Sequence, residues 1–310
     1  MRRQRGAIAL IFALLLTTLI ASVMVKVAYD VTLQMRRTES LLWQEQARLA
    51  AMGAEDWIGD ILRQDLTDSE SDHFGEIWAQ ELPPIPVEGV GIQGTITGVI
   101  QDLQGRFNLN NLIDTAGEPV EIEVERFRRM LIALELDPGI AEAIIDWMDL
   151  DTEPRFPGGA EDEVYTTRIP PLRAPNLAFR SPSELAIIEG IPAESLQQLL
   201  QHVSALPAQT PINVNTATPL VLQTLDENLS AADIERIVDE RTEVGIEDLD
   251  VTFAGVLEED VIATLSTQTN FFELRAIVRI GTVRFTMYSL LYRTDQGQVA
   301  VVQRSYGNPP

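Results

Sequence analysis

The N-terminal quarter of the chain places the strongest constraint on its fold, because it joins an uncharged apolar run to a long helix-favouring segment. Three of the first five residues are arginines, and the run from Ala7 to Val25 contains no charged side chain. A run of roughly 19 residues is long enough to cross a hydrocarbon core about 30 Å thick as a helix. The sequence therefore predicts a single membrane-spanning helix at this end.

A cleaved secretory signal is the main alternative for this segment. Such a signal has an apolar core of about 7–15 residues that ends in a small-x-small cleavage site. The apolar run here is longer, and no such site ends it. Beyond Lys26, residues such as Val31, Met35, Leu42 and Leu49 recur at intervals of four or seven, which indicates an amphipathic helix. The sequence predicts one helix to about Leu66, with the N-terminus in the cytoplasm because the basic residues precede the span.

Composition excludes several classes of function. The 310 residues carry a net charge of −24, contain no cysteine and include only two histidines. Such acidity disfavours nucleic acid and anionic lipid as partners, and two isolated histidines disfavour a zinc site. Without cysteine, no disulfide can stabilise an extracytoplasmic domain. No Ser-His-Asp or Cys-His arrangement stands out, so we expect a protein that is not an enzyme.

Two separated segments predict one small antiparallel sheet packed on the outer half of the first helix. The C-terminal runs are β-branched and aromatic, and hairpin signals separate them at Gly281-Thr282 and residues 295–297. Residues Thr67–Pro86 are acidic and proline-bearing and are expected to form a loop. The strands are predicted within residues 91–100 and at Phe272–Ile280, Val283–Tyr292 and Val299–Ser305.

Residues 108–269 interrupt this sheet and are predicted to be mostly helical. Two halves of the interruption resemble each other: residues 107–111 read Phe-Asn-Leu-Asn-Asn and residues 212–216 read Ile-Asn-Val-Asn-Thr. Each half predicts a helix-hairpin-helix-like unit with a glycine in its turn. The predicted helices are Glu121–Leu134, Gly139–Met148, Pro182–Glu189, Ala193–Ser204, Thr218–Leu225 and Ala231–Arg241.

Helix-hairpin-helix units often hold DNA phosphate through backbone N–H groups and nearby basic side chains. A membrane-anchored periplasmic protein of DNA binding or uptake is therefore an alternative function. Acidic side chains flank the hairpins, however, which favours a protein-interaction scaffold over phosphate binding. These acidic residues are Glu189, Glu194, Glu258, Glu259 and Asp260.

The first half contains an acidic insertion that the second half lacks. The chain takes about 30 residues from Asp149 to Ser183, against about six for the equivalent connection from Arg241 to Glu247. Two carboxylate clusters flank a Pro/Gly turn, and calcium, which takes six to eight oxygens in irregular geometry, suits this composition. The spacing is not that of an EF-hand, because Pro154 stands where that loop needs glycine. The candidate ligands are Asp149, Asp151, Glu153, Glu161, Asp162 and Glu163.

Two questions about this insertion stay open at the level of the sequence. A solvated acidic loop is the alternative to a calcium site, although Phe156 and Tyr165 within the loop argue against complete exposure. Asp146 is a doubtful ligand, because its counterpart Asp239 lies in the half without the insertion. An anchored periplasmic enzyme that uses the loop as a metal site is a further alternative, but no nucleophile or general base accompanies the carboxylates.

The N-terminal residues resemble a type IV pilin-type precursor, with a short basic leader ending in Gly6 and an apolar stretch beginning at Ala7. In that family a prepilin peptidase cleaves after the glycine and N-methylates the next residue, so the resemblance implies a mature chain that starts at Ala7. Most members carry glutamate at mature position five, where this chain has Ile11. This departure and the motifs at residues 146–151, 159–162 and 212–216 are similar to the K-type minor pseudopilins of type II secretion.

The resemblance implies a fold, a function and partners. The fold would be α+β, with a pilin-like N-terminal helix and antiparallel sheet interrupted by an inserted all-α domain. The function would be protein transport: the chain would form or initiate the tip complex of the periplasmic pseudopilus that exports folded proteins. The expected domains are a leader (1–6), a transmembrane and stalk helix (7–66), the first part of a pilin-like domain (67–107), an inserted helical domain (108–269) and C-terminal strands (270–310).

The expected environment follows from the same family. The chain would be a single-pass protein of the bacterial inner membrane with its bulk in the periplasm. The implied partners are the I- and J-type minor pseudopilins, the major pseudopilin and the prepilin peptidase, with exported substrates or the outer-membrane secretin as further contacts. Nucleic acid is not expected. The family is also known for calcium in the region of the acidic insertion.

Ile11 fits a particular place in such an assembly. A carboxylate inside a bilayer is costly unless it is paired. In assembled pilins this glutamate is thought to meet the α-amino group of the neighbouring subunit. A subunit with no neighbour on that side would carry an unpaired buried charge, so an apolar residue suits the first subunit at the tip.

Overall fold

The computed structural model describes residues 2–81, 83–89, 92–241 and 245–309. Its largest element is α1 (Arg2–Asp68), a helix of 67 residues and therefore about 100 Å long. The predicted end near Leu66 is correct to within two residues. The apolar window of α1 is long enough to cross a membrane, and none of it is buried within the protein. This part of the helix is free to contact lipid or other helices.

Eight shorter helices and nine strands follow α1 in the described part of the chain. The helices are α2 (Glu121–Ala133), α3 (Ile140–Met148), α4 (Asp162–Tyr165), α5 (Ala193–Leu199), α6 (Pro219–Gln223), α7 (Ala231–Glu240), α8 (Leu249–Thr252) and α9 (Glu259–Ile262). The strands are β1 (Ile85–Gly89), β2 (Ile92–Asp102), β3 (Phe107–Asn108), β4 (Val203–Ser204), β5 (Ile212–Asn213), β6 (Leu265–Ser266), β7 (Phe271–Ile280), β8 (Val283–Arg293) and β9 (Val299–Tyr306).

Five strands form one antiparallel sheet in the order β1-β2-β7-β8-β9. The predicted C-terminal hairpins are confirmed, with Ile280 opposite Val283 across the first turn. β2 and β7 are neighbours although about 170 residues separate them, and Asp102 at the end of β2 faces Phe272 at the start of β7. Residues 103–270 thus leave the sheet from one strand and re-enter it in the adjacent one.

The outer half of α1 packs on one face of this sheet. Ala47, Ala51, Ile58 and Leu62 are fully or almost fully buried against β7 and β8, and the two alanines let the helix approach the strands closely. Glu55 lies on the same helix face. Its carboxylate accepts a hydrogen bond from the Ser289 hydroxyl at 2.5 Å and pairs with Arg304 at 2.7 Å. The helix is therefore held to the sheet by apolar packing and by one buried charge.

Three local predictions were wrong, two of them because of strand pairing with another part of the chain. The predicted loop Thr67–Pro86 contains a 3₁₀ turn and the first residues of β1, since Ile85 pairs with Ile96. The helix predicted to reach Ser204 ends at Leu199, because Val203 and Ser204 pair with β3. The segment that begins at Pro182 is a 3₁₀ helix capped by Ser181 rather than an α-helix to Glu189.

Residues 103–270 build their own apolar core around α2, α3, α6 and α7. A small second cluster joins this core to the face of the sheet opposite α1, through Leu103, Leu206, Phe271 and Leu290. The segment is not purely helical, because it contains two short parallel strand pairs, β3 with β4 and β5 with β6. Each pair joins the beginning of one half to its end.

Two asparagines occupy equivalent places in these halves. Asn110 accepts a hydrogen bond from the Phe179 N–H and donates to the carbonyls of Phe179 and Leu206. Asn215 makes the same pattern with the Ile246 N–H and C=O, and with the Thr267 carbonyl at 3.5 Å. Each amide satisfies buried backbone groups, which would otherwise cost roughly 1–3 kcal/mol apiece. The similarity read from residues 107–111 and 212–216 therefore corresponds to repeated geometry.

Arg293, at the end of β8, ties α1 to the rest of the chain. It is almost fully buried, and its guanidinium donates to Asp65 at 3.0 Å and to Asp72 at 2.5 Å. It also donates to the carbonyls of Leu62 and Thr269. One side chain thus joins the last turns of α1, the loop after it, the sheet and the point where residues 103–270 return.

Candidate metal centre

The acidic insertion begins where α3 ends. All nine residues of α3 are buried, so its last turn is fixed within the core of the helical segment. Asp149 follows with extended backbone (φ −68°, ψ 173°), which turns the chain out of the helix. The loop then runs to Ser181 and contains one short helix, α4. The first carboxylate therefore projects from a rigid position rather than from a free loop.

Asp146 holds the loop in place instead of facing the cluster as a free ligand. Its carboxylate accepts hydrogen bonds from the backbone N–H of Arg155 at 3.1 Å and from that of Ala160. A Cβ on Gly159 would lie 2.3 Å from Asp146 Oδ2 and 2.4 Å from the Arg155 carbonyl, so only glycine fits at that position. This geometry gives a physical reason for the doubt about Asp146 as a ligand.

Asp149, Asp151 and Glu161 come together at the base of the loop. One carboxylate oxygen of each lies within 4.8 Å of the other two. Asp149 is 4 % exposed and Glu161 3 % exposed, whereas Asp151 lies at the surface. Asp149 Oδ1 and Glu161 Oε1 are buried without a hydrogen-bond partner. Unpaired buried oxygens of this kind are costly, and a cation between them would satisfy both.

The electrostatics of the cluster favour the same conclusion. Burial, reinforced by the charges of Asp146 and Asp149, raises the pKa of Glu161 to about 7. Burial also raises the pKa of Asp149, and the charge of Asp151 adds to that effect. Within the described ranges no basic side chain forms a salt bridge with Asp149, Asp151 or Glu161. The nearby guanidinium of Arg155 pairs instead with Glu142, at 2.9 Å.

The other three candidate ligands lie outside this cluster. Asp162 accepts a hydrogen bond from the Ala174 N–H at 3.0 Å and lies 3.8 Å from Arg173 Nε. Glu153 and Glu163 are exposed. The structure therefore gathers three of the six predicted carboxylates, and the other three lie outside the group.

Aromatic contacts fix the far side of the loop. Tyr165 is fully buried and packs edge-on against Trp147, with ring centroids 5.1 Å apart. Phe156 is 95 % exposed, so of the pair Phe156 and Tyr165 only Tyr165 contributes to the packing of the loop. Asn176 donates to the Asp151 carbonyl at 2.8 Å and closes the loop on itself. The insertion is therefore an ordered element.

The donor set fits a hard cation. The three gathered ligands offer only oxygen atoms, which calcium prefers. Backbone carbonyls of the loop and water are available for the remaining coordination positions of the ion. Sequence reasoning identified all three gathered carboxylates but missed the loop contacts of Asp146. The glycine pair at residues 158–159 is the signal that could have indicated a close backbone approach there.

The structure describes only part of the predicted cleavage site at the N-terminus. α1 includes the backbone of Gly6 and Ala7, but the Ala7 side chain lies outside the described part of the structure, as does Met1. Ile11 is 58 % exposed on the apolar stretch of α1. Its side chain is therefore placed where lipid or a neighbouring helix would contact it.

Comparison with known proteins identifies relatives along nearly the whole chain. Two models of type II secretion system protein K match residues 105–208 and 212–268, which correspond to the two halves described above. Type II secretion system protein K of Pseudomonas aeruginosa is 32 % identical, and the alignment covers 99 % of this chain and 94 % of that protein. The same protein of Pectobacterium carotovorum is 34 % identical over 98 % of this chain and 97 % of the relative.

A solved structure shares the fold. A chain of the crystal structure of the GspK-GspI-GspJ complex from the enterotoxigenic Escherichia coli type 2 secretion system matches with a TM-score of 0.76 and 27 % identity. The match covers 88 % of this chain and 99 % of that one. The mixed fold, with a long N-terminal helix and a small antiparallel sheet, is thus common to both.

Proposed function

The chain belongs to the family of type II secretion system protein K, whose members are minor pseudopilins, and we propose that it forms or initiates the tip complex of the periplasmic pseudopilus. The observation that carries this proposal is the likeness, over 88 % of this chain, to a chain solved together with GspI and GspJ. The role is structural rather than enzymatic, in keeping with relatives that are components of a secretion system.

The domain organisation supports a subunit that ends a filament. Residues 108–269 are proposed to be an inserted domain between the first part (67–107) and the C-terminal strands (270–310) of a pilin-like domain. Support comes from the separate core of this segment and from its return to the strand beside the one it left. A domain of this width would block stacking of another subunit on the same side, which suits a terminal position.

The two halves of the inserted domain are proposed to be helix-hairpin-helix-like units. Gly190 and Gly255 occupy corresponding hairpin positions, and both have positive φ, of 85° and 72°. The positive φ explains why glycine is needed in both turns. Acidic residues surround both hairpins, so the units are proposed to bind protein rather than nucleic acid.

The N-terminal helix is proposed to anchor the chain in the inner membrane, with the bulk in the periplasm. Prepilin peptidase would cleave between Gly6 and Ala7 and methylate Ala7. The exposed apolar stretch of α1 would then pack against the helices of other pseudopilins. The partners are proposed to be the I- and J-type minor pseudopilins first, then the major pseudopilin, with exported substrates or the secretin at the distal surface.

Co-expression with the I- and J-type pseudopilins of the same organism tests this proposal. We expect the tagged full-length chain, purified in detergent, to retain both partners through size-exclusion chromatography as one heterocomplex. The major pseudopilin expressed at the same level serves as the comparison, and it should not replace either partner. Elution of the chain alone, with both partners present in the membrane extract, would contradict the proposal.

Substitution of Ile11 tests the tip position separately. We expect Ile11→Glu to reduce secretion of an exported protein several-fold, because a charge within the bilayer costs up to about 3 kcal/mol when nothing pairs with it. Ile11→Leu is the matched control and should secrete normally. If Ile11→Glu assembled and secreted like the unaltered chain, with a crosslinkable subunit above it, the tip argument would be wrong.

The cluster of Asp149, Asp151 and Glu161 is proposed to bind calcium, with Glu153, Asp162 and Glu163 as outer or alternative ligands. The support is the pair of buried carboxylate oxygens without partners and the oxygen-only donor set. When bound, the ion would supply positive charge to a desolvated acidic site. The chain's own contribution is to hold the carboxylates together through the backbone bonds of Asp146.

A further inference from the structure

A second group of carboxylates lies outside the acidic insertion, at the junction where α1 ends. Asp65 is in the last turn of α1, and Asp72 and Glu76 follow in the loop before β1. One oxygen from each of the three lies within 4.8 Å of the other two. Their side chains are only 10 %, 3 % and 7 % exposed, respectively. Three carboxylates are thus held together away from water.

Charge balance in this group is incomplete. Arg293 pairs with Asp65 and Asp72, but its single positive charge offsets only one of the three negative charges. Among the described residues, no lysine or arginine forms a salt bridge with Glu76. If all three carboxylates are ionised, a net charge of −2 remains in a desolvated site, and such a charge is costly unless a cation accompanies it.

Glu76 supplies an independent indication of a ligand. Its Oε2 accepts hydrogen bonds from the His73 N–H at 3.0 Å and from Trp78 Nε1 at 2.7 Å. Its Oε1, by contrast, is buried and has no hydrogen-bond partner. The side chain is held firmly by one oxygen and presents the other unsatisfied.

His73 helps to decide which ion could bind. Its Nε2 is 3.9 Å from Glu76 Oε1, too far for a hydrogen bond. Its Nδ1 accepts a hydrogen bond from the Gly75 N–H at 3.0 Å, so in the neutral ring the proton is on Nε2. Neither nitrogen then has a free lone pair for a metal. The available donors are therefore oxygens, which suit a hard divalent cation such as calcium rather than zinc.

We propose that Asp65, Asp72 and Glu76 bind a hard divalent cation, of which calcium is the probe. A cavity of about 330 Å³ beside the group is lined by Asp65, Asp68 and Glu76 and gives an entry path with a further carboxylate at its wall. The bound ion would link the last turn of α1 to the loop after it, and Arg293 extends the link to the sheet. It stabilises the connection between the anchoring helix and the rest of the chain.

Calcium counting on the full-length chain in detergent micelles tests the proposal. Equilibrium dialysis with radioactive calcium, after removal of bound ions with a chelator, gives the number of ions per chain. We expect Glu76→Gln to bind one ion fewer than the unaltered chain. Asp60 is an exposed residue about one turn earlier on α1, and Asp60→Asn is the matched control. It should bind the same number of calcium ions as the unaltered chain.

A chain with substitutions in the acidic insertion distinguishes calcium binding at this site from calcium binding at the insertion. In a chain carrying Asp149→Asn and Glu161→Gln, we expect one ion to remain and to be lost when Glu76→Gln is added. If the proposed calcium site of the insertion is wrong, the unaltered chain will bind one ion, and Glu76→Gln alone will abolish binding. Unchanged binding in Glu76→Gln, with circular dichroism showing a normal fold, overturns the proposal, as does binding of no ion in the unaltered chain.

Discussion

Replacement of Arg293 by methionine is expected to lower the free energy of unfolding by about 3–5 kcal/mol, because it leaves buried carboxylates without their counter-charge. Arg293 is 1 % exposed and makes hydrogen bonds to Asp65, Asp72 and two backbone carbonyls. Methionine keeps much of the apolar volume but none of the donors. Thermal or denaturant unfolding of the full chain in detergent, followed by circular dichroism, measures the change.

Two further variants distinguish lost charge pairing from lost packing. Arg284→Met removes an exposed arginine from the same strand and should change stability by no more than about 0.5 kcal/mol. Asp72→Asn added to Arg293→Met removes the better buried of the two orphaned charges and should recover part of the loss. If Arg293→Met were as stable as the unaltered chain, the junction would not depend on this ion pair.

The sequence was sufficient for elements whose signals are local. α1 follows from an uncharged run continued by helical periodicity, and β7 and β8 follow from two β-branched runs separated by Gly281-Thr282. The Asn-x-Asn repeat also indicated the two related halves, although the function of its second asparagine became clear only from the bonds to Phe179 and Ile246.

Features that depend on distant partners could not be predicted in this way. Val203 and Ser204 continue a helical pattern, but they pair with residues 107–108, nearly 100 positions earlier. Arg293 reads as the polar end of a strand, whereas its carboxylate partners lie more than 220 positions earlier. Glu55 similarly reads as a surface position of an amphipathic helix, yet it is buried against the sheet.

The acidic insertion shows the same division between composition and geometry. Composition and spacing selected six carboxylates and favoured Asp149, Asp151, Glu161 and Asp162 among them, but which of the six meet depends on the fold. The structure separates Asp149 and Glu161, which have buried unsatisfied oxygens, from Glu153 and Glu163, which are exposed. The difference arises because Asp149 and Glu161 adjoin the packed ends of α3 and α4, whereas Glu153 lies in the loop between these helices and Glu163 is on an exposed position of α4.

Calcium is expected to raise the unfolding temperature of the chain, and a chelator such as EGTA to lower it. A ligand that binds only the folded state stabilises it by about 2.7 kcal/mol when its free concentration is 100-fold above Kd. For a domain of 150–250 residues this corresponds to roughly 5–11 °C, at about 2–4 °C per kcal/mol. Scanning calorimetry with and without calcium measures the shift, and no shift at saturating calcium would contradict the calcium site.

A sharper test compares the stability of Glu161→Gln with that of the unaltered chain, first without and then with calcium. We expect the order of the two stabilities to reverse. Without calcium, Glu161→Gln should be at least as stable, because glutamine removes a buried charge with one unsatisfied oxygen and no salt bridge among the described residues. With calcium it should be less stable, because a charged ligand is missing. Glu194→Gln, an exposed glutamate outside the insertion, is the matched control and should follow the unaltered chain in both conditions. Equal calcium responses in the two variants would mean that the buried cluster does not bind the ion.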